Sequence, residues 1–406
     1  MIPLHILVLA PQPFFQPRGT PIAVRNVVEQ LAADGHRIDL LVYQEGEDVA
    51  IPNCTVHRVP KLPGIRGIRP GFSLKKVVAD VAFGLKALGL MRRKRPDVVH
   101  AVEESAFIAM LGRRMYGIPF IYDMDSSLPQ QLVEQLPLLA RLLPVLVRCE
   151  RAVVRASMGT VVVCRALEDI ARSHSPAHPV ARVEDSSLLE DDLSIMLEPL
   201  PDAARRGPVA MYVGNLERYQ GIDLLLEGFG RALREEPNAQ LVLVGGTAEA
   251  IAGYRARAEQ LNIAANVHFL GPRPVSLLGN YLRQADVLVS PRIRGLNTPM
   301  KLYSYLDSGQ PVLATRLPTH TQVIDDSVAV LVDPVPEALG AGLVALFRDP
   351  IARAEFGSRG RRLARREFAT QAVGQRLRNF YAEVGERIRG YSPPIAPGGP
   401  QPTNAA

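Results

Sequence analysis

The chain has 406 residues, too many for one ordinary α/β core, so two domains are expected. Hydrophobic residues at 47% and charged residues at 22% exclude a disordered chain. The formal charge of +6 calls for an anionic partner, but aromatics at 6% and no recognisable base-reading motif argue against nucleic acid.

The N-terminus enters a strand-like run, Leu4–Ala10, without the basic region, apolar core and cleavage site of a secretory signal, so a cytoplasmic protein is expected. The following PQPFFQPRGTP leads into a helix whose Val24, Val27, Val28 and Leu31 share one face, and Gly35 stops it. Gly19, with Thr20 as cap and Pro21 at the first helical position, makes a turn that suits a phosphate or acceptor as well as a plain connection. Further strands are expected at Ile38–Tyr43, Asp97–Val102, Phe120–Asp123 and Thr160–Cys164.

Between Ile38–Tyr43 and Asp97–Val102 lies the helix SLKKVVADVAFGLKALGLMRRKR. It places Leu74, Val77, Val78, Val81, Leu85 and Leu88 on one face, with Lys75, Lys76, Lys86 and Arg92–Arg95 around it. Leu136–Arg155 is similarly leucine-rich and basic, and its apolar core is too short, and too interrupted by Arg141, to span a membrane. Packing of both faces on the first domain's sheet is the preferred reading; peripheral docking on the inner membrane surface is the alternative. Just past their strands stand Glu103 and Glu104, then Asp123 and Asp125, carboxylates able to orient or deprotonate a hydroxyl. Two acids one residue apart can also chelate a cation, but a basic phosphate site needs no metal and none is expected. Cys54, Cys149 and Cys164 are odd in number and widely spaced, which reads as isolated buried thiols.

A polar, acidic stretch around Glu184–Gly207 reads as the linker. The alternation then restarts with PVAMYVG, QLVLVG, NVHFL, DVLVS, PVLA and VAVLV, separated by helices such as Ile222–Arg234 and Ala248–Leu261. Continuous apolar strands with amphipathic helices between them indicate parallel, doubly wound α/β sheets, whose ligands bind beyond the carboxyl ends of the strands. In SPRIRGLNTPMKLYSYLDSGQPVLAT, Thr298 is a suitable N-cap, Pro299 suits the first helical position and Lys301 falls in the first turn. A lysine there opposes the helix dipole unless an anion docks on the free N–H groups. Gly295 admits a close approach, and Arg292 and Arg294 add charge. The chain ends in a Pro/Gly-rich stretch, 391–406, expected to be disordered.

From Leu4 to Tyr381 the order of motifs resembles the retaining, family 4 type of glycosyltransferase with the GT-B fold. The resemblance is carried by VGNLERYQGIDLLLEGF, by VHFLGPRPVSLLGNYLRQADVLVSPR, and by SGQPVLAT with VAVLVDP. It implies two Rossmann-like domains facing a cleft: 1–190 for the acceptor and 191–369 for a nucleotide-sugar donor, with a last helix, about 370–387, returning to the first. It also implies a metal-independent enzyme without cofactor, and a glycan, lipid-linked or small-molecule acceptor. Donor contacts are then expected from Gly214, Asn215, Gly245, Asn297 and Met300, besides the Arg292–Lys301 loop. The family's basic pair falls on Asn215 and Gln220, with Arg218 nearby to supply charge, and its two glutamates fall on Leu296 and Ser304, the latter left with a weak ribose contact. Lys301, Arg218 and, on the acceptor side, Asp125 are the catalytic candidates. The same departures raise the alternative of a catalytically silent protein that binds a nucleotide or a partner glycosyltransferase. A dinucleotide oxidoreductase is disfavoured, because no G-x-G-x-x-G follows a strand.

Overall fold

The computed structural model describes residues 2–16, 19–61, 67, 74–189 and 198–391. Two units are formed, Met1–Val183 with Gly374–Ala406, and Glu184–Val373. The tail beyond Tyr391 and part of the expected linker lie outside the described residues.

In the first unit the elements are β1 (His5–Leu9), α1 (Gly19–Ala33), β2 (Arg37–Val42), β3 (Cys54–Arg58), α2 (Leu74–Lys94), β4 (Val98–Val102) and α3 (Ser105–Tyr116). They continue with β5 (Phe120–Met124), α4 (Leu128–Gln135), α5 (Leu143–Ala156), β6 (Thr160–Val162), α6 (Arg165–His174) and β7 (Val180–Arg182). The seven strands are parallel in the order β3-β2-β1-β4-β5-β6-β7, so the winding reverses between β1 and β4. The central strands are buried apolar runs, as expected of a sheet covered on both faces. The edge strands β3 and β7 were not foreseen. Their residues are half-exposed, and CTVHR and VAR carry too little apolar pattern to announce a strand.

The packing of α2 corrects the reading of its periodicity. Ala79, Phe83, Ala87, Leu90 and Met91 face the sheet, while Val77, Val78, Val81 and Leu85 are exposed. An apolar stripe reports a preference for leaving water, not which neighbour it meets, and here the side with alanines and one phenylalanine makes the closer contact. Of the cysteines only Cys164 is buried; Cys54 is half-buried and Cys149 exposed.

The second unit contains β8 (Val209–Val213), α7 (Ile222–Ala232), β9 (Gln240–Val244), α8 (Ala248–Gln260), β10 (Val267–Gly271), α9 (Leu278–Leu282) and β11 (Val287–Ser290). There follow α10 (Lys301–Ser308), β12 (Val312–Thr315), α11 (Pro318–Thr321), β13 (Val330–Val332), α12 (Pro336–Arg348) and α13 (Pro350–Glu367). Its six parallel strands run β10-β9-β8-β11-β12-β13, again doubly wound, with the reversal between β8 and β11. The last helix, α14 (Thr370–Arg389), belongs to the first unit from Gly374 onward. There Arg378 pairs with Asp34, and the Tyr381 hydroxyl bonds His100 Nδ1 at 2.8 Å.

Candidate functional site

At a sheet reversal the loops after two neighbouring strands diverge to opposite faces and leave a crevice. In the second unit these are the loop after β8, Gly214–Gly221, and the loop after β11, Pro291–Met300. Glycines let the strand ends crowd together. A Cβ on Gly245 (φ +111°) would strike the Gly214 carbonyl, and one on Gly221 (φ +76°) would strike that of Pro291. Tyr219 accepts the Ile293 N–H at its carbonyl, at 3.0 Å, and so ties the two loops.

Lys301 opens α10 in this crevice. Its Nζ donates to Gln220 Oε1 at 3.0 Å, lies 3.8 Å from the centre of the Tyr212 ring, and would sit 3.0 Å from a Cβ on Gly214. Burial, and then the charge of Arg292, hold the ammonium well below the ordinary lysine range. The charge that acts on this lysine is therefore another cation, and its contacts are an amide oxygen and an aromatic face. Arg292 is fixed by donation from Nη1 to the Asn297 carbonyl at 2.7 Å and to Thr319 Oγ1 at 3.2 Å, with its guanidinium over Tyr219. Thr315 donates to the Arg292 carbonyl at 2.6 Å. Behind it His320, held down to about 4 by burial, is neutral at physiological pH; its Nδ1 donates to the Thr315 carbonyl and its Nε2 meets Ser290 Oγ. A lysine and an arginine converge, and a bound anion would favour the charged form of the lysine.

The expected residues divide. Gly214, Gly245, Arg292, Gly295, Asn297, Pro299, Met300 and Lys301 gather at or beside the crevice. Arg294 and Asn215 are exposed on the rims, and Asn215 accepts at its carbonyl from the Tyr212 hydroxyl at 2.5 Å. Arg218 is exposed on a single 3₁₀ turn, and its charge bears on Tyr254 of α8. Thr298 does not cap the helix: α10 starts at Lys301 behind Met300, and the buried Thr298 hydroxyl has no partner among the described residues. The extra turn through Pro299, whose carbonyl accepts from Leu302 N–H, displaces the helix start. Ser304 is corrected outright as a ribose contact. It is fully buried, and its hydroxyl accepts the Leu188 N–H at 3.0 Å, fastening the chain as it enters this unit.

In the first unit the reversal places the loops after β1 and β4 together. Gly19 (φ +25°) and Thr20 both lie inside α1, so Thr20 is in the first turn and not at the cap. Glu103 has φ +50°, unusual for a residue with a Cβ. Burial, and then the neighbouring Glu104 carboxylate, push its acid up to about 7. Ser126 Oγ donates to Glu103 at 3.1 Å, and Glu104 pairs with Lys76 of α2, which also pairs with Asp80. Asp125 is half-buried just past β5. Asp123, by contrast, is buried and accepts from His100 Nε2 at 2.9 Å, so the chelating reading of the DMD triplet loses one of its two ligands.

Sequence reading missed Tyr212, Tyr219 and Thr319. Tyr212 lay inside an apolar strand run and read as core, and Thr319 follows a later strand, too far along the chain for any local signal. Spacing within β8 held a clue, since its penultimate residue must stand at the crevice mouth.

Comparison with known proteins adds to this geometry. Residues 18–184 match the glycosyl transferase 4-like domain and residues 202–363 the glycosyl transferases group 1 family. A phosphatidyl-myo-inositol mannosyltransferase of Mycobacterium tuberculosis is 23% identical over 393 residues, spanning 94% of this chain and 98% of that protein. Sucrose-phosphate synthase of Thermosynechococcus elongatus superposes with a TM-score of 0.74 at 19% identity, over 95% of this chain and all of the other (100%). HepE of Anabaena, solved in complex with UDP, gives 0.71 at 14% identity, over 94% of this chain and 100% of that one. At these identities the structural likenesses speak for the fold.

Proposed function

We propose that this chain, whose two halves match the glycosyl transferase 4-like and group 1 families, is a GT-B glycosyltransferase that transfers a hexosyl group from a nucleotide sugar to a glycan, lipid-linked or small-molecule acceptor, with retention and without a metal. The observation that carries the donor assignment is the pair of cations, Lys301 and Arg292, at the β8–β11 reversal, where the charge acting on the lysine is the arginine. A diphosphate there would meet Lys301 Nζ and the hydroxyl of Thr298. As the glycosidic bond to the donor breaks, negative charge grows on the departing diphosphate, and preorganised cations and N–H groups stabilise it most at that moment. Lys301 Nζ lies on Gln220, the position where the family resemblance expects a basic residue, so in this reading α10 supplies the charge that the β8 loop lacks. Arg218 and Arg294, exposed on the rims, are then second-rank phosphate contacts.

The acceptor is assigned to the first unit, with Glu103 and Asp125 as the carboxylates that orient its hydroxyl. The name of the mycobacterial relative, a phosphatidyl-myo-inositol mannosyltransferase, makes mannosyl donors the first to test. The neutral residues at Asn215 and Gln220 favour one rival, a silent nucleotide binder. Assaying the protein with a panel of nucleotide sugars and a host acceptor extract separates the two. Transfer that falls by about 10²–10³ in Lys301→Ala is expected for the loss of one such donor; nucleotide binding with no turnover of any donor would establish the silent binder.

A further inference from the structure

Side-chain ties fix the stretch after β5, and one of them reaches a buried acid that the proposed chemistry leaves unused. Asp123 accepts from His100 Nε2, Ser126 donates to Glu103, and Ser127 Oγ donates to Glu150 Oε2 of α5 at 3.1 Å. The other carboxyl oxygen, Glu150 Oε1, meets His174 Nε2 of α6 at 2.9 Å. Ser127, Glu150 and His174 are all buried. Glu150 shares the buried face of α5 with Val153 and Val154. Burial, and then the charge of Glu150, push the Tyr122 hydroxyl of β5 well above its ordinary range.

Stability alone does not account for this arrangement. A buried carboxylate on a histidine is a poor source of stability, since apolar residues of similar volume often do as well or better. Its directional hydrogen bonds instead select one position for each group they hold. Ser127 shows the same preference. It occupies the N-cap position of α4 with an extended backbone (φ −82°, ψ 107°), where a serine ordinarily accepts an N–H of its own helix. Its side chain makes no such cap and turns to Glu150 instead. With both Glu150 oxygens accepting, the His174 ring donates from Nε2, and its buried Nδ1 has no partner among the described residues. The His174 carbonyl in turn accepts from Arg155 Nε of α5 at 3.0 Å, which ties the end of α6 to the helix that carries Glu150. Glu150 is thereby fixed before Ser127 reaches it, and what the tie holds is the short run Asp125–Ser126.

We propose that Glu150, braced by His174, is a positioning residue for the transfer: through Ser127 it sets the place of Asp125 and of the Ser126–Glu103 contact. The role rests on the assignment of the acceptor to Glu103 and Asp125. The test compares Ser127→Ala, which removes the tie, with Ser127→Thr, which keeps the hydroxyl. It also compares His174→Leu with His174→Gln, which keeps a donor at the place of Nε2. Transfer is measured with the most active nucleotide sugar of the panel and the host acceptor extract, and UDP and GDP affinity by calorimetry. Amide exchange over residues 123–131 is followed by mass spectrometry. Ser127→Ala and His174→Leu should slow transfer about tenfold or more at saturating donor, because a misplaced orienting group acts on the rate, and leave nucleotide affinity within about twofold. Exchange over 123–131 should quicken in both, and Ser127→Thr and His174→Gln should restore most of the rate. Ser127→Ala leaves α5 and α6 untouched, so it decides the matter even where His174→Leu fails to fold. Unchanged transfer in Ser127→Ala would overturn the proposal. So would transfer and nucleotide affinity falling together, or a loss that Ser127→Thr shares in full. A wild type that turns over no donor removes the acceptor assignment and the positioning role with it, whereas an active wild type with an indifferent Ser127→Ala removes the positioning role alone.

Discussion

Lys301 is a lysine kept from its usual proton affinity by burial and by Arg292. A bound anion would reverse that bias, so nucleoside diphosphate binding should take up a proton once the pH exceeds the lowered value, and affinity should fall as pH rises. Calorimetry of UDP or GDP in two buffers of different ionisation enthalpy checks this. Lys301→Ala should remove the proton uptake and weaken binding by about 1.5–3 kcal/mol, the range for a charge-assisted hydrogen bond. Unchanged affinity would remove the lysine from the donor site. On the other sheet Glu103 titrates near 7, raised above its unfolded value of 4.5. The stability linked to its protonation is thus complete below about 4.5 and is lost as pH rises through about 7. Glu103→Gln keeps a hydrogen-bond acceptor for Ser126 and should flatten that part of the stability profile. If the ionised carboxylate orients the acceptor, the same change should also erase the rise in transfer rate across pH 7.

At the scale of elements, two strand ends and one helix start make the proposed donor crevice, and each joint has a separate test. Gly245→Ala places a methyl against the Gly214 carbonyl at a φ of +111°, so it should cost about 1–3 kcal/mol of stability and weaken nucleotide binding together. Denaturant melts and calorimetry on one preparation measure both. Thr298→Val has the opposite signature. It removes a buried hydroxyl that lacks a partner among the described residues, so the free protein should gain about 1 kcal/mol or stay level. If that hydroxyl is held for the diphosphate, nucleotide affinity should nevertheless drop. A variant that is less stable but binds normally would make Thr298 a structural residue.

The whole molecule joins a glycosyl transferase 4-like domain to a group 1 domain in one continuous chain. Transfer should therefore need the intact protein, and a matching nucleotide sugar should raise its melting temperature by mass action, with about 2.7 kcal/mol of stabilisation at a hundredfold excess over Kd. If the proposed donor crevice neutralises the diphosphate with Lys301 and Arg292, activity should survive excess chelator. Loss of transfer with chelator and recovery with magnesium or manganese would call for a cation on the diphosphate.

Periodicity sufficed for the α/β class, the doubly wound sheets and most of the strands. A buried parallel strand must be apolar along its length, and that requirement is written locally. The Lys301 helix start stands out in the sequence too, because a lysine two residues after a proline in the first turn of a helix opposes the dipole and needs a reason. Only the tertiary structure decided which neighbours those residues meet. It gave Ser304 to the Leu188 amide and Asp123 to His100, set Arg292 rather than Arg218 beside Lys301, and turned the valines of α2 outward. The sequence determines which side chains must leave water and where the backbone can turn. Pairing between residues tens of positions apart depends on how the strands order in the sheet, and no local pattern carries that order.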